Sequence, residues 1–296
     1  MDMSRYQRQL LLEDDSFVLY RGISEDGNTS VLMKASVSAD SSHGGLQRFE
    51  AEMSLADRLD LGWAAKPLAL ESHDGQAFLL LTDGGGMPLS NSKGEAFDTG
   101  FFLSFAINVT TALRKVHARG LVHGDLRPAN VLTDASGKVW LTGFGKAVPV
   151  GTVSEASGGF QSGHLNSLPY IAPEQTGRIK RSVDPRSDLY ALGAVFYETL
   201  TGELPFVAVD AMEWVHSHVA RRPIPLRQRN EVIPPVLERI VLKLLAKRPE
   251  DRYQSAAGLE ADLQRCLGSW NSTGRIEEFE VASGDAADRL RVPEGL

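Results

Sequence analysis

Within residues 6–37, Leu10 and Leu12, Phe17 and Leu19, and Val31 and Met33 fall two positions apart with polar neighbours between or around them. That period places alternate side chains on one face of an extended chain. Gly22 and the pair Asp26-Gly27 supply turns, so the stretch predicts hairpin-connected strands with Lys34 near the end of the third. Residues 38–45, rich in Ser and Gly, read as a loop. From Leu46 the period changes: Leu46, Phe49, Met53, Ala56 and Leu59 recur every three or four positions and predict an amphipathic helix. Residues 77–83, AFLLLTD, form a buried strand that runs into Gly84-Gly85-Gly86, a flexible connection. A boundary between two lobes is placed there.

The rest of the pattern is mostly helical. Phe102, Phe105, Val109, Leu113 and Val116 mark one long helix, and two segments, 121–132 and 138–147, read as loop and short strands. Residues 149–169 are Gly- and Ser-rich without a period, a long loop of the kind that is often functional. Ser187 or Asp188 is expected to cap a helix carrying Leu189, Leu192, Val195 and Leu200, and Pro234-Pro235 opens another with Leu237, Ile240, Val241 and Leu244. After Trp270 the chain turns polar and acidic, which reads as a tail or linker over 271–296.

Composition narrows the functional classes. A hydrophobic content of 42% over 296 residues allows a sizeable core. The net charge of -7, without a basic run, argues against nucleic acid or anionic membrane as partners. The single cysteine, Cys266, excludes an internal disulfide and a cysteine metal cluster, and its spacing to Leu263 and Leu267 suggests a half-buried structural thiol. No apolar run reaches the roughly 18 residues of a membrane span, and the first residues lack the features of a signal peptide. The expectation is a cytoplasmic chain or a piece of a larger protein, with no membrane insertion.

Candidate chemistry enters at HGDLRPAN, residues 123–130, which resembles the catalytic loop of protein kinases. IAPE (171–174), SDLYALG (187–193) and RPEDR (248–252) resemble further kinase segments in the same order. Lys34 in VLMKA resembles the lysine that such enzymes carry at the end of the third strand. The resemblance covers roughly residues 6–268. It implies an α+β, bilobal fold, with a small, mainly β lobe over 1–83 and a larger, mainly α lobe over 84–270. It further implies an ion pair between Glu174 and Arg252. Residues 167–206 are similar, more narrowly, to the kinase-like domain that begins large bacterial hybrid histidine kinases. The segment DRLRVPEGL resembles the junction to the domain that follows there.

By the same resemblance, Asp125 orients the attacking hydroxyl and takes its proton, Arg127 neutralises charge, and Ser167 could hydrogen-bond Asp125. Lys34 pairs with phosphate and with Glu52 (runner-up Glu50). Leu81 borders the adenine pocket, Thr82 to Gly84 form the hinge, and Asn130 is the remaining metal ligand. His123 reads as a core histidine, Phe144 as packing, and His216 and His218 as solvent-facing.

Several positions depart from the family pattern. The turn expected to cover the phosphates is Glu13-Asp14-Asp15-Ser16, with no glycine before Gly22. Carboxylates above a triphosphate repel it by about 4 kcal/mol per unit pair at 4 Å and an effective dielectric of 20, as an upper figure. Gly143 stands where kinases carry the magnesium-binding Asp of D-F-G, and glycine offers no ligand atom. Gly124 replaces an arginine that usually pairs with a phosphorylated loop. The expectation is a kinase-fold signalling module acting on attached domains or partner proteins as a pseudokinase, with weak ATP binding and doubtful Mg binding. The alternatives are an active serine/threonine kinase with atypical metal ligation, in which another carboxylate such as Asp134 replaces the missing ligand, and a structural interaction domain that binds no nucleotide.

Overall fold

The computed structural model describes residues 5–37, 42–73, 75–92, 94–152, 165–179 and 181–285, with the backbone alone for 42 and 43. The first lobe is a five-stranded antiparallel sheet of β1 (Tyr6–Glu13), β2 (Phe17–Ser24), β3 (Ser30–Ser36), β4 (Pro67–His73) and β5 (Gln76–Thr82), in the order β1-β2-β3-β5-β4. β4 has no counterpart in the sequence reading. It lies at the sheet edge and begins with Pro67, where a missing N–H costs nothing, and its burial does not alternate cleanly.

The period of two sorts the sheet into two faces. Val31, Met33, Ala35, Phe78 and Leu80 pack on one side. Leu19, Leu32, Leu79 and Leu81 join a second cluster with Phe17, Ala129, Leu132 and Trp140 on the side that meets the other lobe. Lys34 shares the parity of Leu32 on β3 and pairs in register with Leu79, so it too is directed to this inner side. Helix α1 (Ser42–Ser54) begins inside the expected loop and stops five residues before Leu59; Ala56–Arg58 form a separate 3-10 turn. Glu52 is buried on its inner face, whereas Glu50 is exposed.

The larger lobe is helical: α2 (Thr99–Ala118), α3 (Pro185–Thr201), α4 (Ala211–Ala220), α5 (Leu226–Arg229), α6 (Pro235–Leu244) and α7 (Ala256–Thr273). Short strands β6 (Met87–Pro88), β8 (Val131–Thr133) and β9 (Val139–Leu141) pair beneath the sheet, and β7 (Leu121–Val122) pairs with β10 (Val148–Pro149). Every residue from Ser187 to Leu200 on α3 is buried, as befits a helix enclosed on all sides. Its cap is Asp184, whose carboxylate accepts the N–H of Arg186, with Pro185 opening the first turn. This corrects the expected cap at Ser187 or Asp188. Both lie inside the first turn and are buried, because Asp188 is needed to hold a neighbouring loop.

Arg252 and Glu174 make the expected ion pair, bidentate at 2.7 and 2.9 Å and buried on both sides. Ser187 Oγ donates to the same carboxylate at 2.7 Å. A buried pair satisfied in this way is costly to break from one side, about 3–5 kcal/mol.

Three further expectations are corrected. His218 is buried, with Tyr190 Oη 2.9 Å from Nδ1 and the carbonyl of Leu168 2.8 Å from Nε2. It lies on the inner side of α4, while His216 faces solvent. Cys266 is fully buried, and burial pushes its thiol up to about 12. The region after Trp270 is not a free tail over its described part. α7 continues to Thr273, and Ile276, Phe279, Val281 and Ala282 then pack back against the core. Asp262 accepts the N–H of Ala282 at 2.6 Å, and Asp285 accepts from Ser255 Oγ at 2.8 Å. The segment DRLRVPEGL lies outside the described residues, as does most of the expected loop 149–169.

Candidate functional site

The loop 123–130 is held from below. The carboxylate of Asp188 accepts the backbone N–H groups of His123 at 2.8 Å and Gly124 at 2.9 Å, and pairs with His117 at 2.9 Å. His123 is a core residue. Asp125 N donates to its Nδ1 at 3.3 Å, so Nε2 carries the proton and donates to the Thr142 carbonyl at 3.0 Å. Burial holds this imidazole below its usual range against the pull of Asp188 and Asp125. Gly124 has φ +75°, and a Cβ there would stand 2.7 Å from the Lys146 carbonyl oxygen. An arginine does not fit this backbone.

Asp125 sits among N–H donors. Lys146 Nζ donates to Oδ1 at 3.0 Å, Arg127 Nε lies 3.9 Å from Oδ2, and Asn130 Nδ2 donates to the backbone oxygen at 2.8 Å and to Oδ2 at 3.4 Å. Burial pushes the Asp125 carboxyl up, but the Lys146 ammonium and the Arg127 guanidinium outweigh it and hold it below the usual range. Ser167 does not bond Asp125: its hydroxyl, in the segment Leu165–Tyr170, is buried and has no partner among the described residues.

On the sheet side, Lys34 Nζ and Glu52 Oε2 stand 3.6 Å apart, both buried, and Glu52 Oε1 accepts the N–H of Gly143 at 2.9 Å. The β1–β2 turn closes over this pair. Asp14 Oδ1 accepts the N–H groups of Ser16 at 2.7 Å and Phe17 at 3.0 Å, a side-chain turn that replaces the flexibility of glycine. Its other oxygen accepts from Arg127 Nη1 at 2.6 Å, and Asp15 accepts from the N–H of Asn166 at 3.3 Å. The expected repulsion above the cleft is therefore not the arrangement found, because Asp14 turns inward onto Arg127. Phe17 follows it in. Its ring centroid lies 4.2 Å from Lys34 Nζ and 5.4 Å from the Arg127 guanidinium carbon, and the residue is 5% exposed. An aromatic face thus takes both cations that the sequence reading assigns to phosphate and to charge neutralisation.

The residues around the expected adenine pocket pack against one another. Leu81, Leu19, Leu32 and Leu132 are fully buried in one cluster with Trp140. The Trp140 indole lies so close to Gly84 that a Cβ there would be 2.3 Å from the ring, and its Nε1 donates to Leu61 O at 3.0 Å. Thr82 Oγ1 accepts the N–H of Lys66 at 2.8 Å, so it serves β4 and not the cleft. Arg21 binds Asp83 at 2.6 Å and the Gly86 carbonyl at 2.7 Å, tying the connection to β2. Asp14 and Arg127 line a cavity of about 260 Å³ together with Leu12, Leu89, Tyr170 and Glu198.

Mg²⁺ prefers octahedral oxygen ligands at short range. Gly143 supplies none. It adopts φ +84°, and a Cβ at this position would lie 2.4 Å from Asn130 Cγ and Oδ1, so the amide of Asn130 fills the place of the missing side chain. Asn130 Oδ1 is buried and has no partner among the described residues, and Asp125 is already paired with Lys146. Asp134 closes its own turn by accepting from Ser136 and Lys138 and does not enter the site. Among the described residues, no group of three His, Cys, Asp or Glu could hold a metal. These residues do not fit the ion.

Sequence reasoning overlooked Phe17, Arg21, Trp140, Lys146 and Asp188. Phe17 and Trp140 read as ordinary apolar strand positions. Lys146 carried a signal, a cation three residues past Gly143, but its reach to Asp125 depends on how the chain turns.

Comparison with known proteins identifies the family of the fold. Residues 19–263 match a family model described as protein kinase domain. The chain is 33% identical to hybrid signal transduction histidine kinase G of Dictyostelium discoideum, over 60% of this chain and 7% of that one. It is 41% identical to serine/threonine-protein kinase PknB of Mycobacterium leprae over 52% of this chain and 24% of the other. With serine/threonine-protein kinase Pkn1 of Myxococcus xanthus it shares 33% identity over 75% of this chain and 32% of that protein. The chain thus spans under a third of the length of each of these relatives.

Proposed function

From the premise that this chain belongs to the protein kinase domain family, we propose that it is a pseudokinase module. It would signal through contacts with attached domains or cytoplasmic partner proteins and not through phosphoryl transfer. Kinases of this family use ATP and magnesium in general. The observation that carries the proposal is the placement of Phe17 against Lys34 and Arg127 while Gly143 offers no ligand. Transfer depends on positioning and charge stabilisation of the phosphoryl group, and here two of the cations face the Phe17 ring while the Asn130 amide stands beside Gly143. The match to one segment of a hybrid histidine kinase supports a place beside other signalling domains.

A second reading, an active serine/threonine kinase with unusual ligation, is favoured by the intact Lys34–Glu52 pair and the Asp125–Asn130 contact. Radiolabelled ATP with magnesium, offered to the chain and to a generic substrate, separates the two. The expected result is no transfer and no magnesium-dependent rise in melting temperature with ATP. Transfer that disappears in Asp125→Ala would establish the second reading instead.

A further inference from the structure

Lys247 lies between α6 and the 3-10 turn Pro249–Asp251, and it is fixed at both ends. Its carbonyl accepts from Arg252 Nη2 at 3.1 Å, and its Nζ donates to the carbonyl of Ser217, in the last turn of α4, at 3.0 Å. Nζ stands 4.4 Å from the ring centroid of Phe206 and 5.9 Å from that of Tyr190. The groups around it supply no negative charge. Tyr190 on α3 is a neutral phenol pushed up by burial, and His218 on α4 is a neutral imidazole held down to about 3. The Arg252 guanidinium shares the Tyr190 ring, at 4.8 Å. Glu174 is taken by Arg252, and Glu250 by Arg181 and Arg248. Among the described residues, Arg252 is the charged group that acts on Lys247, and no carboxylate answers it. Burial first, and then this guanidinium, disfavour the ammonium and bring the amine down to about 7.

A desolvated lysine beside a second cation is an activated nucleophile, because its lone pair is free where exposed lysines are protonated. We propose that Lys247 is a nucleophilic lysine and a modification site, acylated by small donors of the acyl phosphate class. The side chain is partly exposed and flanked by two rings, which favours a small donor. The free amine attacks the acyl carbon. A C–N bond forms, the C–O bond to phosphate breaks, phosphate leaves with the electron pair, and the amine's surplus proton passes to solvent. The product is a neutral amide where a cation stood at the C-terminal end of α4, an end that favours positive charge. The same helix carries His218, whose ring holds the carbonyl of Leu168, so the modification acts on the support of the segment Leu165–Tyr170. The proposal is independent of whether the cleft transfers phosphate.

The test is acetylation of the full wild-type chain by acetyl phosphate without nucleotide, with initial rates at each lysine read by peptide mass spectrometry. At a pH of about 7.5, Lys247 should react at least about tenfold faster than Lys115, which is exposed on α2. The Lys247 rate should level off above a pH of about 8, whereas the Lys115 rate should keep rising about tenfold per pH unit through 9. In about 8 M urea the two lysines should react alike, since the fold supplies the advantage. The inference is overturned if Lys247 reacts no faster than Lys115 in the folded chain, if its rate climbs with pH as that of Lys115 does, or if its advantage persists in urea. No variant is needed, so a failure to fold does not enter the result.

Discussion

At the scale of single residues, the charges of this site are matched with one another. Asp14 answers Arg127, Lys146 answers Asp125 and Glu52 answers Lys34. A buried charge is tolerable only with a partner, and here the partners come from within the chain. His218 follows the same logic in the larger lobe. Burial holds its imidazole down to about 3, with Tyr190 and the Leu168 carbonyl satisfying both ring nitrogens in the neutral form. In the unfolded chain the ring titrates near its ordinary 6.5. The unfolded state therefore gains a proton first as pH falls, and the stability present above 6.5 is lost toward 3. Urea unfolding should show a loss of about 2 kcal/mol between pH 7 and pH 5 from this residue, with His123 acting in the same direction. His218→Gln should be less stable at pH 7 but should lose less on acidification. An unchanged pH slope in that variant would remove His218 from the account.

At the scale of elements, the β1–β2 turn is the part that differs most from what its position implies. A turn made of glycines can hover over phosphates with its N–H groups free. This one spends two N–H groups on Asp14 and sends Phe17 inward. The strand partners of Phe17 explain why it cannot point elsewhere: its register with Ser36 and the period of two put it on the inner face beside Leu19 and Leu32. Phe17→Ala should lower stability by about 3 kcal/mol, in the range of buried aromatic truncations. It should also give ADP, in the presence of a chelator, a melting-temperature rise that the wild type lacks. If the wild type responds to ADP as strongly as the variant, Phe17 is not what closes the cleft.

At the scale of the molecule, the lobes are joined by more than the glycine-rich connection. Arg21 ties β2 to Asp83 and Gly86, Trp140 packs beneath them, and Asp14 and Asp15 reach from the sheet to the loop 123–130 and to Asn166. The larger lobe is closed in turn by the segment after α7. Arg239 pairs with Glu278, Arg265 lies over Phe279 at 4.3 Å, and Asp285 accepts from Ser255 and from the N–H of Gln254 at the start of α7. A chain ending at Trp270 should melt about 3 °C below the full chain, since roughly 2 kcal/mol of packing and hydrogen bonding is removed from a domain of this size. Equal melting temperatures would mean that the segment adds nothing to the lobe.

The linear sequence by itself determined the fold family and its framework. The ordered motifs from Lys34 to Arg252, the Glu174–Arg252 pair and the loss of a ligand at Gly143 are all legible there through the resemblance of its motifs to those of protein kinases, because a motif is a local property of the chain. It left β4 unseen, since an edge strand without clean alternation has no distinctive period, and it misjudged His218, whose side of α4 depends on what α3 and the segment Leu165–Tyr170 bring against it. Only the tertiary structure decided the state of the cleft. The contacts Phe17–Lys34, Asp14–Arg127, Asn130–Gly143 and Lys146–Asp125 join residues through the meeting of two lobes. The same side chains could surround phosphate or exclude it, and the choice is made by directions and distances of a few ångströms that no spacing along the chain encodes.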